Sequence, residues 1–181
     1  MYRSYGQGVT DDMRVQQVGI APRPYQDPHP PLYGGFTGSM RTATFWAKYL
    51  GKPIVLASDL EFCKALWAAY RDAAAKHGHD VAPGEEAAWG GIMICAPTDN
   101  EAQAWFQDMQ WFWNTWALNF GQPMPELLVG SPETLTRRIA EASKAFPIGE
   151  CFLLIPQGIH DRDKILKSLA LFADKVMPNF T

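Results

Sequence analysis

The sequence has no lysine- or arginine-rich run, and its 16 basic and 19 acidic residues leave a net charge of −3. Proteins that bind nucleic acid through its phosphates need a clustered basic surface, so a polyanion partner is not expected. A single small phosphate ligand stays possible, because backbone dipoles bind one without net positive charge.

Cysteine is also scarce. Cys63, Cys95 and Cys151 are far apart, lie in apolar stretches and show no metal-ligand spacing. We therefore expect buried, reduced thiols and no metal site. The first ten residues lack the basic end and apolar stretch of a signal peptide. No apolar run approaches the roughly 20 residues of a spanning helix, which predicts a soluble, cytoplasmic protein.

What the chain does contain is typical of one globular domain. Apolar residues make up 47% and charged residues 19% of its 181 positions, close to the globular average. Aromatic residues reach 13%, which indicates a large core, a large interface, or both.

Apolar segments of strand type alternate with segments of helical period along the chain. The predicted strands cover 32–36, 54–57, 89–96 and 150–156, with a further possible strand at 13–20 before a proline-rich connector at 21–31. The predicted helices begin at Ser39, Ser58, Thr98, Ser131 and Asp161 or Asp163, and residues 121–128 are predicted to be a loop. This alternation predicts an α/β fold with a parallel sheet and right-handed crossovers.

Three stretches carry a family resemblance. They are Pro22–Pro31, the strand-helix-strand unit from Gly38 to Leu56, and Val129–Glu133 taken together with the tail Ser168–Phe180. In order and spacing they resemble the C-terminal half of the luciferase-like, flavin-dependent monooxygenases. The resemblance covers essentially the whole chain, so residues 1–181 are interpreted as a single domain.

This resemblance implies half of a (β/α)8 TIM barrel with about four parallel strands. A closed eight-stranded barrel takes about 250 residues, so the barrel would be completed by oligomerisation or by a partner chain. The family binds FMN or the deazaflavin F420, which implies an oxidoreductase, in many members a monooxygenase. The family's flavin-proximal histidine and phosphate-binding arginine lie in the N-terminal half, and no residue here corresponds to them.

A candidate phosphate site lies between the first strand and the first helix. By resemblance, Gly38, Ser39, Met40, Arg41 and Thr42 contact the flavin phosphate, with Ser39 donating from its hydroxyl and backbone N–H. Small residues let amide groups approach an anion, and the helix dipole adds partial positive charge. An ordinary serine-capped helix would show the same pattern. The family's acidic residue is missing from this segment.

His160 follows the last predicted strand, where barrel enzymes place ligand-binding loops. It is the candidate substrate-pocket residue, although a surface loop histidine would read the same way. No catalytic residue can be assigned from the sequence.

The predicted helix 98–120 has apolar residues on most of its circumference. A helix on a core needs only one apolar stripe, so burial on two sides and an interface are expected. The partner would be a second copy or a separately encoded N-terminal half barrel. Two functions stay open: the flavin-phosphate side of a luciferase-like monooxygenase, or a non-catalytic flavin-binding or scaffold protein that has lost the catalytic half.

Overall fold

A computed structural model describes residues 10, 12, 14–15, 25–27, 29–35, 37–56, 59–121, 126–156 and 161–180. Its contacts divide the chain into a short unit, Met1–Pro31, and a main unit, Leu32–Thr181. The possible strand at 13–20 and much of the proline-rich connector lie outside the described residues. A single domain over 1–181 stays a prediction.

The main unit is built on a parallel sheet of five strands. They are β1 (Tyr33–Gly34), β2 (Lys52–Val55), β3 (Ala88–Cys95), β4 (Leu127–Gly130) and β5 (Glu150–Leu154). β1 pairs with β2, and β3 pairs with β2, β4 and β5. Every residue of β3 is buried, which explains its unbroken apolar sequence.

Helices connect the strands, each beginning at a residue whose side chain accepts a backbone N–H. They are α1 (Met40–Ala47), α2 (Leu60–Lys76), α3 (Asp99–Phe112), α4 (Pro132–Ala145) and α5 (Arg162–Lys175). The long helix predicted over 98–120 ends its α-helical part at Phe112. It continues as a π-helical turn, Trp113–Ala117, and a 3-10 turn, Leu118–Phe120.

Four of the strands follow the order of a half barrel. β1, β2, β3 and β5 pair in succession, and α1, α2, α4 and α5 contact one another in the same succession. The predicted α/β fold with four barrel strands is thereby confirmed, and the described strands do not close on themselves. α3 and β4 form an addition between β3 and α4, which we call the insertion (residues 96–131).

The fifth strand is a correction to the predicted loop at 121–128, since β4 begins at Leu127 and runs to Gly130. Its apolar part has only four residues and follows two prolines, so local sequence gave little reason to expect pairing. Backbone pairing with β3, from Ile92↔Leu127 to Cys95↔Gly130, makes it a strand.

The two faces of β3 are covered by different helices. On the outer face, Trp89, Met93 and Cys95 pack with residues of α1, α2 and α4. On the inner face, Ile92 and Ile94 pack with residues of α3. The insertion therefore folds back over the inner face of β3.

Smaller differences also have physical reasons. The α2 helix is capped by Asp59, which accepts from Phe62 N, whereas the predicted cap Ser58 lies outside the described residues. Cys63 and Cys95 are buried, and burial raises the pKa of their thiols to about 12 and about 11. Cys151 is exposed rather than buried, because β5 is the last strand of the succession.

Three polar side chains meet on the inner face at the amino end of the sheet. Glu150 of β5 accepts hydrogen bonds from Lys52 of β2 and, at 2.8 Å, from the Tyr33 hydroxyl of β1. Burial works to raise the pKa of Glu150, but these two donors outweigh it and hold that pKa below its ordinary value. The hydrogen bond to Glu150 raises the pKa of Lys52. This cluster ties the first barrel strand to the last.

We expect Glu150→Gln to flatten the acid side of the stability profile. A lowered carboxyl pKa contributes stability above the unfolded value of about 4.3, and that contribution disappears as pH falls through the folded pKa. The raised pKa of Lys52 contributes stability below the unfolded value of about 10.4, and that contribution is lost as pH rises through the folded pKa. Urea unfolding between pH 3 and 8 measures this, with Glu141→Gln, an exposed ion-pair partner on α4, as control. Equal acid limbs for wild type and Glu150→Gln would contradict it.

Candidate functional site

The carboxyl ends of the strands and the N-termini of the helices lie at the same edge of the sheet, where parallel α/β folds place their ligands. The helix caps at this edge are Ser39, Asp59, Thr98, Ser131 and Asp161. Each helix start presents backbone N–H groups without partners inside the helix and a positive dipole end. The nearby charges decide which of them accepts an anion.

Among the five described α-helices, only α1 has neither an acidic cap nor an acidic residue in its first turn. Asp59 and Glu61 lie at the start of α2, and Asp161 and Asp163 at the start of α5. The α3 and α4 starts likewise contain acidic residues. The α1 start instead contains Arg41, so its local electrostatics favour an anion.

The start of α4 is already occupied by a carboxylate of the chain. Asp99 accepts hydrogen bonds from Ser131 N at 2.7 Å and from the Thr134 hydroxyl at 3.0 Å. The Ser131 amide, followed by the Thr134 hydroxyl, lowers the pKa of Asp99, so the carboxylate is charged at neutral pH. Ser131-Pro132 is therefore a structural helix start, and Asp99 links the two ends of the insertion.

The loop between β1 and α1 is held by a buried threonine that the sequence did not single out. Thr37 donates its backbone N–H to Ile54 O at 2.8 Å and its hydroxyl to Gly34 O at 3.1 Å. These bonds fasten the loop to β1 and to the end of β2. In the sequence, Thr37 is recognisable only as a threonine beside a glycine in a βα loop. That pattern is too common to predict its role in holding the loop.

Gly38 leaves open space beside its backbone. A Cβ built at this position meets no atom within 4 Å, and Gly38 does not adopt a left-handed conformation. Neither packing nor backbone geometry therefore demands glycine here. The close approach of a ligand to the main chain would be a reason for glycine at this position.

Ser39 caps α1 from an extended backbone conformation. Its Oγ accepts from Thr42 N at 3.3 Å and lies 2.9 Å from the Thr42 hydroxyl. By helix geometry, the amides of Met40 and Arg41 have no acceptor within α1 and point out of its first turn. The hydroxyls of Ser39 and Thr42 lie at the same exposed end.

The predicted phosphate-binding residues thus surround one helix start. Gly38, Ser39, Arg41 and Thr42 are exposed and Met40 is half-buried. Their binding role stays a prediction. His160 lies outside the described residues, so its pocket role stays a prediction as well.

One cavity of about 30 Å³ lies between the insertion and α5, lined among others by Trp105, Leu154, Ile165 and Leu169. Pockets for cofactor-sized ligands measure about 300–1,000 Å³. The cavity is too small for a flavin ring system. Leu169 lies at its exposed margin.

No protein-family model and no curated protein matches the sequence. Solved structures do match. The monooxygenase RslO1 of Streptomyces bottropensis superposes with a TM-score of 0.73 at 19% identity, over 93% of this chain and 53% of that one. The oxygenating constituent of 3,6-diketocamphane monooxygenase from Pseudomonas putida, in complex with FMN, gives 0.70 at 20% identity, over 84% and 50%. The chain therefore shares the fold of about half of each of these monooxygenases.

The half barrel spans about half the length of these solved structures. The coenzyme F420-dependent tetrahydromethanopterin reductase of Methanopyrus kandleri also shares the fold, with a TM-score of 0.56 at 14% identity over 83% of this chain. At these identities the likeness concerns the fold. This likeness confirms the half barrel that the sequence predicted. Separately, no helix of the described residues is long and apolar enough to cross a membrane.

Proposed function

We propose that this half barrel is the flavin-phosphate component of a luciferase-like oxidoreductase. The observation that carries the proposal is the start of α1, the one described α-helix start free of acidic residues. Gly38, Ser39, Met40, Arg41 and Thr42 would hold the phosphate group of FMN or F420. Structures with the same fold include one in complex with FMN and one that depends on coenzyme F420.

The chemistry of this loop suits a phosphate. The Met40 and Arg41 amides would donate hydrogen bonds, as would whichever of the paired Ser39 and Thr42 hydroxyls keeps a free proton, and the Arg41 guanidinium would add a full positive charge. Hydrogen bonds to a charged partner contribute about 1.5–3 kcal/mol each. The acidic residue of the family pattern is missing from this segment, and this departure favours a non-catalytic binding role.

A bound flavin would supply the redox chemistry, and the described residues would bind and orient its phosphate. The cavity between the insertion and α5 is far smaller than a flavin, so it would not hold the ring. We therefore assign the ring pocket, and a role for His160 beside it, to a complete barrel. Substrate oxidation is a proposal for that complete barrel.

A second candidate function is a non-catalytic flavin-binding or scaffold protein. The insertion favours it, because α3 covers the inner face of β3. A protein of this kind would bind flavin without turnover, or bind none. Absorbance of the purified chain and oxygen consumption with reduced flavin would distinguish the two functions.

We expect Gly38→Ala to weaken FMN binding by about tenfold or more without lowering the free energy of unfolding, since the added methyl group would displace a phosphate from the amides. Gly35→Ala is the matched control, because its Cβ also meets no atom within 4 Å and it lies outside the helix start. Fluorescence titration with FMN and F420 measures both.

Ser39→Ala should weaken binding in the same assay, and Ser131→Ala should not, because Asp99 already occupies the start of α4. Ser131→Ala also controls for the loss of a helix cap, worth about 1 kcal/mol of stability in either helix. Equal affinities for the Gly38 and Gly35 variants would overturn the proposed site.

A further inference from the structure

The large apolar side chains exposed on the main unit follow a pattern. Ten lie on the first strand-helix unit or on the last one: Leu32, Tyr33, Phe45, Tyr49, Leu50, Ile155, Leu166, Leu169, Met177 and Phe180. Three more, Trp111, Trp116 and Leu118, lie on the insertion. The middle elements β2, α2, β3, β4 and α4, all within the described residues, contribute none.

The exposed apolar side chains therefore lie mainly on the first and the last strand-helix units of the half barrel. We call them the first flank (β1, α1) and the last flank (β5, α5). Among the described strands, β1 pairs only with β2 and β5 pairs only with β3. Within the described residues, each flank therefore ends in an unpaired strand edge beside exposed apolar helix residues, an arrangement that favours pairing with another chain.

We propose that a second copy of this chain packs against both flanks, with β1 of each copy beside β5 of the other. A two-fold axis parallel to the strands closes both flanks at once, because each copy contributes one first and one last flank. Four barrel strands from each copy make the eight of a closed barrel. This inference does not depend on flavin binding.

The insertion is sterically incompatible with this assembly, because α3 covers the inner face of β3. An eight-stranded parallel barrel is filled by its own side chains, so the inner face has no room for two helices. α3 must therefore leave the inner face when the copies associate. The α3 helix of a chain and the second copy therefore compete for the inner face of that chain's sheet.

Features of α3 fit an element that moves. Beyond Phe112 it continues through π and 3-10 turns to Gly121, which has a φ of 69°. The Nε1 of the buried Trp113 has no hydrogen-bond acceptor among the described residues. One ion pair, Asp108 to Lys164 at 2.9 Å, joins α3 to α5 across the small cavity.

Sedimentation equilibrium of the full chain from about 1 to 200 µM tests the flanks. We expect reversible dimers, within the affinity range of transient complexes. Phe45→Glu should weaken the dimer about tenfold or more, because it places a charge in an apolar contact. Ala68→Glu, on the exposed side of α2, is the matched control and should leave the dissociation constant unchanged.

Truncation of α3 tests the competition. Met109→Ala should strengthen the dimer about tenfold or more, because it weakens only the form in which α3 covers the sheet. Leu135→Ala removes an equally buried side chain from α4 and should not change the dissociation constant. If Met109→Ala does not fold, Asp108→Asn, on the surface, should strengthen the dimer about two- to fivefold.

Hydrogen exchange gives an independent readout. On dimerisation, amides of β1 and β5 should gain protection while those of α3 lose it. A monomer at every concentration, for wild type and the α3 variants alike, would overturn the proposal. So would a dimer that keeps α3 protected and tolerates Phe45→Glu, or a barrel completed by a different polypeptide only.

Discussion

Arg138→Met is expected to destabilise the half barrel by about 3–5 kcal/mol, because it leaves a buried carboxylate without its partner. Arg138 of α4 forms an ion pair with Glu126 and also donates to Leu127 O, at the start of β4. Glu126 is only 5% exposed. Methionine keeps most of the side-chain volume, so the loss of unfolding free energy reports the missing charge rather than a cavity.

The pH dependence of this variant identifies the cause. Burial raises the pKa of Glu126 in spite of the Arg138 charge, and removing that charge raises it further. A carboxyl with a raised folded pKa destabilises the fold above its unfolded pKa of about 4.3 and not below it. The deficit of Arg138→Met should therefore shrink towards pH 4.

The neighbouring Arg137 provides the matched control. Its ion pair with Glu141 is more than half exposed, so Arg137→Met should cost at most about 0.5 kcal/mol. Adding Glu126→Gln to Arg138→Met should recover part of the loss. Urea unfolding of these three variants and wild type measures both effects, and similar losses for the two arginines would refute the buried-pair interpretation.

Gly90→Ala is expected to cost about 3 kcal/mol or more, or to prevent folding. A Cβ at Gly90 would overlap the carbonyl oxygen of Phe152, and one at Gly91 would overlap that of Glu126. The two glycines let β3 accept β5 and the start of β4 at close range. Backbone atoms cannot rotate away as the end of a side chain can, so strand pairing itself must shift.

Thermal unfolding with near-ultraviolet circular dichroism measures this loss, since the buried Trp67 and Trp89 report on the core. Gly35→Ala should unfold like wild type, because its added methyl group meets open space. A Gly90→Ala protein with unchanged stability would mean that β5 does not approach β3 in solution as closely as described.

The barrel strands and outer helices were predictable because each has a local signature. Continuous apolar runs identified β3 and β5, and a serine-proline start identified α4 at its first residue. Helix ends were harder, since the π-helical turn at Trp113 depends on packing rather than propensity. The same limit applied to the cap of α2, where Asp59 and Ser58 are equally good candidates by sequence.

The insertion could not be placed from sequence. Its strand β4 is short, and only pairing with β3 makes it a strand. An apolar helix does not indicate by itself which face of a sheet it will cover, and the interface predicted for helix 98–120 stays a prediction. The candidate site shows the same division: Ser39 was predicted from its loop, whereas Thr37 and Asp99 act through contacts with Ile54 and Ser131 that are distant in sequence.

A comparison of FMN with riboflavin tests most directly whether the start of α1 holds a flavin phosphate. The two ligands share the ring and differ by the phosphate. Calorimetric titration of the full chain should give FMN at least about tenfold tighter binding than riboflavin, with the difference removed by Gly38→Ala. Equal affinities for the two ligands, or binding of neither, would contradict the account.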